Sequence, residues 1–241
     1  MHWLERTKLL IGEQNVDKLS RSHVLVVGLG GVGGYAAEQL CRAGIGELTI
    51  VDGDQIHLTN LNRQLPALTS TLGKPKTIIL GERLMDINPK LKLNIVQEYI
   101  RDERMKEILS KPYDYVVDAI DTLSPKIFLI YDSLKNGHRL VSSMGSGGKL
   151  DPSKVQVADN SQSHICPLAR ILRKRLHRLG VHEGFKVVFS TEEVPYSAMI
   201  PCEDEPNKKT TVGTISYMPP IFGCVMASVV IRELIEERAD N

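Results

Sequence analysis

Gly28, Gly30 and Gly33 stand in G-x-G-x-x-G spacing within Val27-Gly28-Leu29-Gly30-Gly31-Val32-Gly33-Gly34. Residues without side chains let a phosphate approach the main chain. A helix opening at such a turn offers unpaired N–H groups and a partial positive charge to that phosphate. Asp52 follows about 20 residues on, where an acid accepts hydrogen bonds from ribose hydroxyls. This much fits NAD or ATP, and the motif alone favours a dinucleotide-binding oxidoreductase.

The next residues turn the reading toward ATP. Asp52-Gly53-Asp54-Gln55-Ile56-His57-Leu58-Thr59-Asn60-Leu61-Asn62-Arg63-Gln64 is a polar loop where a dehydrogenase would soon enter a helix. Gly73-Lys74-Pro75-Lys76 puts two cations near a helix start, and Val117-Asp118-Ala119-Ile120-Asp121-Thr122 puts two acids at a strand end. Arg63 and Lys76 can neutralise charge developing on a leaving pyrophosphate, and the Asp121 carboxylate can hold Mg2+. A nicotinamide ring needs none of these. Singly, each has a plainer account: a lone Arg or Lys is a solvated charge, and Asp121 caps a helix. Their joint order along one edge of a sheet carries the argument.

That edge requires alternating elements, and the sequence supplies them. Short apolar runs predict strands at Val24–Val27, Glu47–Val51, Leu91–Val96, Tyr113–Asp118 and Arg139–Ser142. Helices are expected at Tyr35–Ala43, Pro75–Ile87 and Lys126–Lys135. Strands separated by helices imply an α/β fold: a Rossmann-like, doubly wound, mostly parallel sheet. Residues 1–145 form the expected ATP-binding unit, with an N-terminal helix. Residues 146–241 form a C-terminal mixed α/β extension continuous with it. Within the extension, Lys149–Asp159 is expected to be extended, Leu168–Arg178 helical, Lys186–Phe189 a strand, Thr191–Val212 a mobile loop and Phe222 to about Glu237 a helix.

Arg170, Arg173, Lys174, His177 and Arg178 fall on one helical face, with Ile171, Leu172, Leu176 and Leu179 opposite. No acid occurs between Asn160 and His182, although the chain as a whole is near neutral at +1. The stripe fits phosphate binding or a solvated face; Lys208 and Lys209 would extend it. The four cysteines, Cys41, Cys166, Cys202 and Cys224, form no C-x-x-C pair, which argues against a zinc knuckle and a disulfide scaffold. Cys41 and Cys224 are expected in the core, and Cys202 is the candidate reactive thiol. No signal peptide is expected from Met1 to Lys8, nor a membrane span from Ile221 to Ile231, and a cytoplasmic location fits.

Taken in order, Arg6-Thr7-Lys8-Leu9-Leu10-Ile11-Gly12, the glycine turn, Leu58-Thr59-Asn60-Leu61-Asn62-Arg63-Gln64, Gly73-Lys74-Pro75-Lys76 and Asp118-Ala119-Ile120-Asp121 resemble the motifs of the E1-like (ThiF/MoeB/HesA) adenylating superfamily. Ser142-Ser143-Met144-Gly145-Ser146-Gly147-Gly148-Lys149-Leu150-Asp151-Pro152 and Pro167-Leu168-Ala169-Arg170 resemble its tRNA threonylcarbamoyladenosine dehydratase branch, with Cys166 a departure from the branch pattern. The resemblance implies ATP and Mg2+ as cofactors. Gly28, Gly30, Gly31, Gly33, Asp52, Asp54, Asn60, Arg63, Gln64, Lys76 and Asp121 would line the ATP site. Arg63, Lys76 and Asp121 would be catalytic, Asp121 holding Mg2+, and Arg6 would reach the ATP of the partner in a homodimer. Arg170, Arg173, Lys174 and Arg178 would meet tRNA carrying threonylcarbamoyladenosine. A cysteine desulfurase-linked protein is a further candidate partner.

The implied reaction adenylates the threonylcarbamoyl carboxylate at position 37 and closes a ring, releasing AMP and pyrophosphate. The alternatives are adenylation of a ubiquitin-like sulfur carrier's C-terminus, an NAD(P)-dependent oxidoreductase, and a nucleotide-binding regulatory module without catalysis.

Overall fold

A computed structural model describes residues 3–201 and 210–236. Its helices are α1 (Glu5–Ile11), α2 (Glu13–Arg21), α3 (Gly33–Arg42), α4 (Lys76–Ile87), α5 (Asp102–Leu109), α6 (Leu123–Lys135), α7 (Pro167–His177) and α8 (Met218–Ile235). The strands are β1 (His23–Val27), β2 (Glu47–Val51), β3 (Lys92–Val96), β4 (Tyr115–Asp118), β5 (Leu140–Ser143), β6 (Val155–Asp159), β7 (Lys186–Ser190), β8 (Met199–Pro201) and β9 (Thr210–Val212).

Seven strands form one sheet in the order β3-β2-β1-β4-β5-β7-β6. All pairings are parallel except that of β6 with β7. The fold is thus α/β, Rossmann-like and mostly parallel. Strands buried on both faces must be apolar throughout, and β1 shows why. Val24 and Val26 enter one core with α3, α4 and α8, while Leu25 and Val27 enter the other with α5, α6 and α7. Residues on both sides of position 145 share this sheet, since β6 and β7 complete its far edge.

The strand order reverses between β1 and β4, which opens a crevice at their C-terminal ends. Register makes those ends level: Val27 pairs with Val51 on one side and with Asp118 on the other. Gly28, Asp52 and Ala119 therefore leave the sheet side by side.

Two expectations are corrected. Of the stretch 191–212, expected as a mobile loop, the described residues 191–201 and 210–212 hold a 3-10 turn at Tyr196–Ala198 and an antiparallel ribbon of β8 and β9. Met199 pairs with Val212 and Ile200 with Thr211, so main-chain bonds join two short runs whose composition is loop-like. Cys224 is exposed, because α8 turns Phe222, Gly223, Met226, Val229 and Val230 inward and leaves position 224 outside. On the α7 side opposite the basic stripe, Leu172 and Leu176 are buried with Ala169, while Ile171 and Leu179 are exposed. Cys202, Lys208 and Lys209 lie outside the described residues.

By length and mean hydropathy α8 could cross a bilayer. Its inner residues instead join the core formed with α3, and a Cβ on Gly223 would lie 2.3 Å from Val32 O. Glycine is what allows that close helix crossing.

Candidate nucleotide-binding site

The turn after β1 is built by glycine for steric reasons that differ residue by residue. Gly28 has φ +89°, and a Cβ there would lie 2.7 Å from Ala119 O. A Cβ on Gly33 would lie 1.7 Å from Gly28 O. Gly30 is different: its added Cβ would meet only Gln64 Nε2, at 3.7 Å. Space over Gly30 is therefore open toward the crevice. A Cβ on Gly31 would lie 2.9 Å from Pro219 Cβ and 3.3 Å from Arg63 Cγ, which places Arg63 beside the turn. No side chain caps the N-terminal end of α3.

Asp52 ties this turn to the next loop. One carboxylate oxygen accepts from Leu29 N at 2.6 Å, the other from Asp54 N at 2.7 Å. Burial raises the Asp52 pKa, while the Lys76 charge and the two amide hydrogen bonds oppose that rise.

Lys76 opens α4. The chain around Asp54 pairs with residues 73–76, with Ile56 N donating to Lys74 O and Lys76 N to Asp54 O. This brings Lys76 Nζ to 2.8 Å from Asp54 Oδ2, and the lysine is only 4% exposed. Tyr99 donates to the other Asp54 oxygen. Burial would raise the Asp54 pKa, but the hydrogen bonds from Lys76 and Tyr99 outweigh it and hold the carboxyl below its usual value. The same bond, with burial, pushes the Tyr99 phenol up to about 12.

Asn60 shapes the loop between these parts. Its Oδ1 accepts from His57 N at 3.0 Å, and its carbonyl accepts from Arg63 N and Gln64 N. Arg63 then donates to Thr59 O and Asn62 Oδ1. Gln64 is buried, and its Oε1 has no hydrogen-bond partner. A buried amide oxygen left unpaired costs free energy unless a donor arrives. The Gln64 atom nearest the Gly30 opening is Nε2, the donor of the amide.

The two acids after β4 have separate fates. Asp118 is fully buried, 2.7 Å from Lys126 Nζ and 2.6 Å from Ser142 Oγ. Asp121 is exposed, in the loop between β4 and the start of α6. Arg6 is exposed on α1, and no described contact joins it to the crevice residues. On α7, Arg170, Lys174 and Arg178 are exposed, whereas Arg173 donates to Ser163 Oγ.

From sequence, Tyr99 and Lys126 have no assigned role, and Ser142 stands only as part of a strand and of the branch motif. Lys126 did carry a signal: it interrupts the apolar run Ile127-Phe128-Leu129-Ile130 at its start, where a lone cation inside a sheet-packed helix needs an anion.

A glycine turn, a paired acid, two cations and an exposed carboxylate at the switch point define an α/β nucleotide-binding protein. The chain belongs to the ThiF family, whose match spans residues 4–241. It is 35% identical to the tRNA threonylcarbamoyladenosine dehydratase of Bacillus subtilis (strain 168), covering 98% of this chain and 96% of that one. The crystal structure of Escherichia coli tRNA N6-threonylcarbamoyladenosine dehydratase in complex with ATP superposes with TM-score 0.87 at 35% identity, over 95% of this chain and 92% of the other. The sulfur carrier protein ThiS adenylyltransferase of E. coli (strain K12) is also 35% identical, but over 56% of this chain and 54% of its own.

Proposed function

We propose that the protein is an ATP-dependent tRNA threonylcarbamoyladenosine dehydratase. One observation carries the reading above its runner-up. The likeness to the dehydratases runs the length of the chain, whereas that to the sulfur-carrier adenylyltransferase covers little more than half of it.

The site chemistry supports an adenylating step. The open face of Gly30 and the α3 N-terminus accept the phosphates. Asp52 holds the ribose, each oxygen keeping a lone pair beyond its bond to an amide. Gln64 turns its Nε2 toward the Gly30 face, where it can donate to a phosphate. Arg63 and Lys76 meet the phosphates and neutralise the departing pyrophosphate.

Asp121 fits Mg2+ as a single hard oxygen donor. Among the described residues no cluster of three or more His, Cys, Asp or Glu forms a closed cage. Mg2+ suits such a site because it is commonly held by one or two carboxylates, substrate phosphates and water. Bound there, it would supply charge compensation for the triphosphate.

The reaction then runs in two steps. The threonylcarbamoyl carboxylate attacks the α-phosphorus of ATP, forming an acyl-adenylate and releasing pyrophosphate. A neighbouring nucleophile of the same group attacks the activated carbonyl, closing a ring and expelling AMP. The net change in the nucleoside is loss of one water. Holding an internal nucleophile near the carbonyl is worth about 7–11 kcal/mol of barrier, so no protein nucleophile is required.

Arg170, Lys174 and Arg178 supply an exposed basic stripe for the tRNA backbone, and Arg173 flanks it. A homodimer completes the reading: α1 exposes Leu9 at 81% and Leu10 at 85% beside Arg6, an apolar patch with a cation to send across an interface.

The test is direct. Protein, ATP, Mg2+ and tRNA carrying threonylcarbamoyladenosine should yield a nucleoside one water lighter together with AMP. Adenylation of a Gly-Gly-ended carrier without that mass change would establish the runner-up.

A further inference from the structure

Asp118 and Lys126 are both fully buried, with Nζ 2.7 Å from Oδ2. Each also bonds the loop that follows β4. Asp118 Oδ1 accepts from Ile120 N at 3.1 Å, and Lys126 Nζ donates to Ile120 O at 2.9 Å. Ser142 Oγ on β5 donates to Asp118 Oδ2 at 2.6 Å. Both main-chain polar groups of Ile120 are thus claimed by one buried ion pair. On the other side, Ala119 N donates to Val27 O, and Ala119 O lies where a Cβ on Gly28 would come within 2.7 Å.

We infer that the Asp118–Lys126 pair is a positioning device that fixes the Ala119–Asp121 loop and so aims the Asp121 carboxylate at the divalent cation of bound ATP. Burying two charges in a core is costly, and apolar residues of similar volume often serve stability as well or better. What an apolar pair cannot do is bond both faces of the Ile120 peptide. The geometry spends a buried lysine on the residue next to the exposed acid, as outer partners do when they orient a metal ligand. This inference rests on the reading of Asp121 as the metal-binding acid, so the test separates the two.

The variants are Asp118→Leu with Lys126→Met, which fills the volume without the bonds, and Asp118→Asn with Lys126→Gln, which keeps hydrogen-bonding groups at both positions. Circular dichroism and thermal melting establish that each is folded. If the apolar pair does not fold, Asp118→Asn with Lys126→Met, which keeps an acceptor for Ile120 N but removes the ion pair and the donor to Ile120 O, takes its place under the same criteria.

Two readouts follow. Amide hydrogen exchange over residues 119–122 should accelerate at least about tenfold in the apolar variant and little in the polar one. Mn2+ affinity in the complex with a non-hydrolysable ATP analogue, read by electron paramagnetic resonance, should fall at least about tenfold in the apolar variant and remain within about threefold in the polar one. The apolar pair is then combined with Asp121→Asn. A device that acts through Asp121 loses its effect on Mn2+ affinity in that background, whereas a general structural role gives additive losses.

Folded apolar variants with unchanged exchange at 119–122, or with losses that add to Asp121→Asn, overturn the inference. Asp121→Asn alone leaving Mn2+ affinity unchanged overturns the reading of Asp121 instead, and the exchange measurement still reports whether the pair pins the loop.

Discussion

Lys76 Nζ lies 2.8 Å from Asp54 Oδ2, the lysine side chain nearly enclosed and the carboxylate 40% exposed. The cation is therefore fixed within the wall of the crevice before any triphosphate arrives, which lowers the reorganisation needed on binding. Lys76→Met should reduce the rate of ATP–pyrophosphate exchange by about 10²–10³-fold, the usual effect of losing one preorganised donor to developing charge. AMP lacks the outer phosphates, so its affinity should change by less than about threefold. Calorimetry with AMP beside the exchange assay checks both; equal losses for AMP and ATP would move Lys76 away from the outer phosphates.

The glycines of the turn separate folding from binding. Gly33→Ala brings Cβ to 1.7 Å from Gly28 O, and Gly28→Ala adds a contact of 2.7 Å to a φ of +89°. Overpacking of this kind costs about 1–3 kcal/mol or more, so both variants should melt well below wild type. Gly30→Ala meets only Gln64 Nε2 at 3.7 Å. It should melt near wild type, yet bind AMP at least about tenfold more weakly, since its methyl group occupies the phosphate's approach. Unchanged AMP affinity in folded Gly30→Ala would place the phosphates off this turn.

These contrasts show what the sequence made legible. The sheet was readable because β1, β2 and β4 are short apolar runs ending in glycine or acid, and burial on both faces leaves little alternative. The placement of Arg63 and Gln64 near the turn followed from their order along the crossover loop. The pairing of Lys76 with Asp54 did not, because it depends on residues 54–56 pairing with 73–76 in a stretch without strand periodicity. Nor did the division of labour between Asp118 and Asp121, since both close the same strand and only the packing of α6 turns one inward. The ribbon of β8 and β9 was missed for a related reason. Three-residue strands carry too little alternation to stand out in a polar, proline-containing stretch.

Asp52 gives the pH dependence a sign. Burial raises its pKa above the usual Asp value of about 3.9. Only the ionised carboxylate can accept from Leu29 N, Asp54 N and two ribose hydroxyls together. With Asp52 as the proposed ribose acceptor, nucleotide binding should be at full strength above the raised pKa and be lost as pH falls through it. The acid limb of AMP affinity should therefore lie at higher pH than an exposed aspartate would give, and Asp52→Asn should weaken binding and remove the limb. A limb that persists in Asp52→Asn would assign it to another group.

The basic stripe of α7 makes a prediction about salt. Arg170, Lys174 and Arg178 are exposed, no acid lies between Asn160 and His182, and Arg173 is engaged with Ser163. Each phosphate neutralised contributes about 0.7–0.9 to the slope of log affinity against log salt. Arg170→Glu with Lys174→Glu should thus weaken tRNA binding and flatten that slope by about 1.5, while leaving AMP affinity untouched. Arg173→Ala should flatten it less, because its guanidinium already serves the turn at Ser163 and its loss acts first on the α7 entry. Filter binding across a salt series distinguishes these outcomes. A slope unchanged in the double reversal makes the stripe a solvated face and sends the search for the tRNA path to another surface.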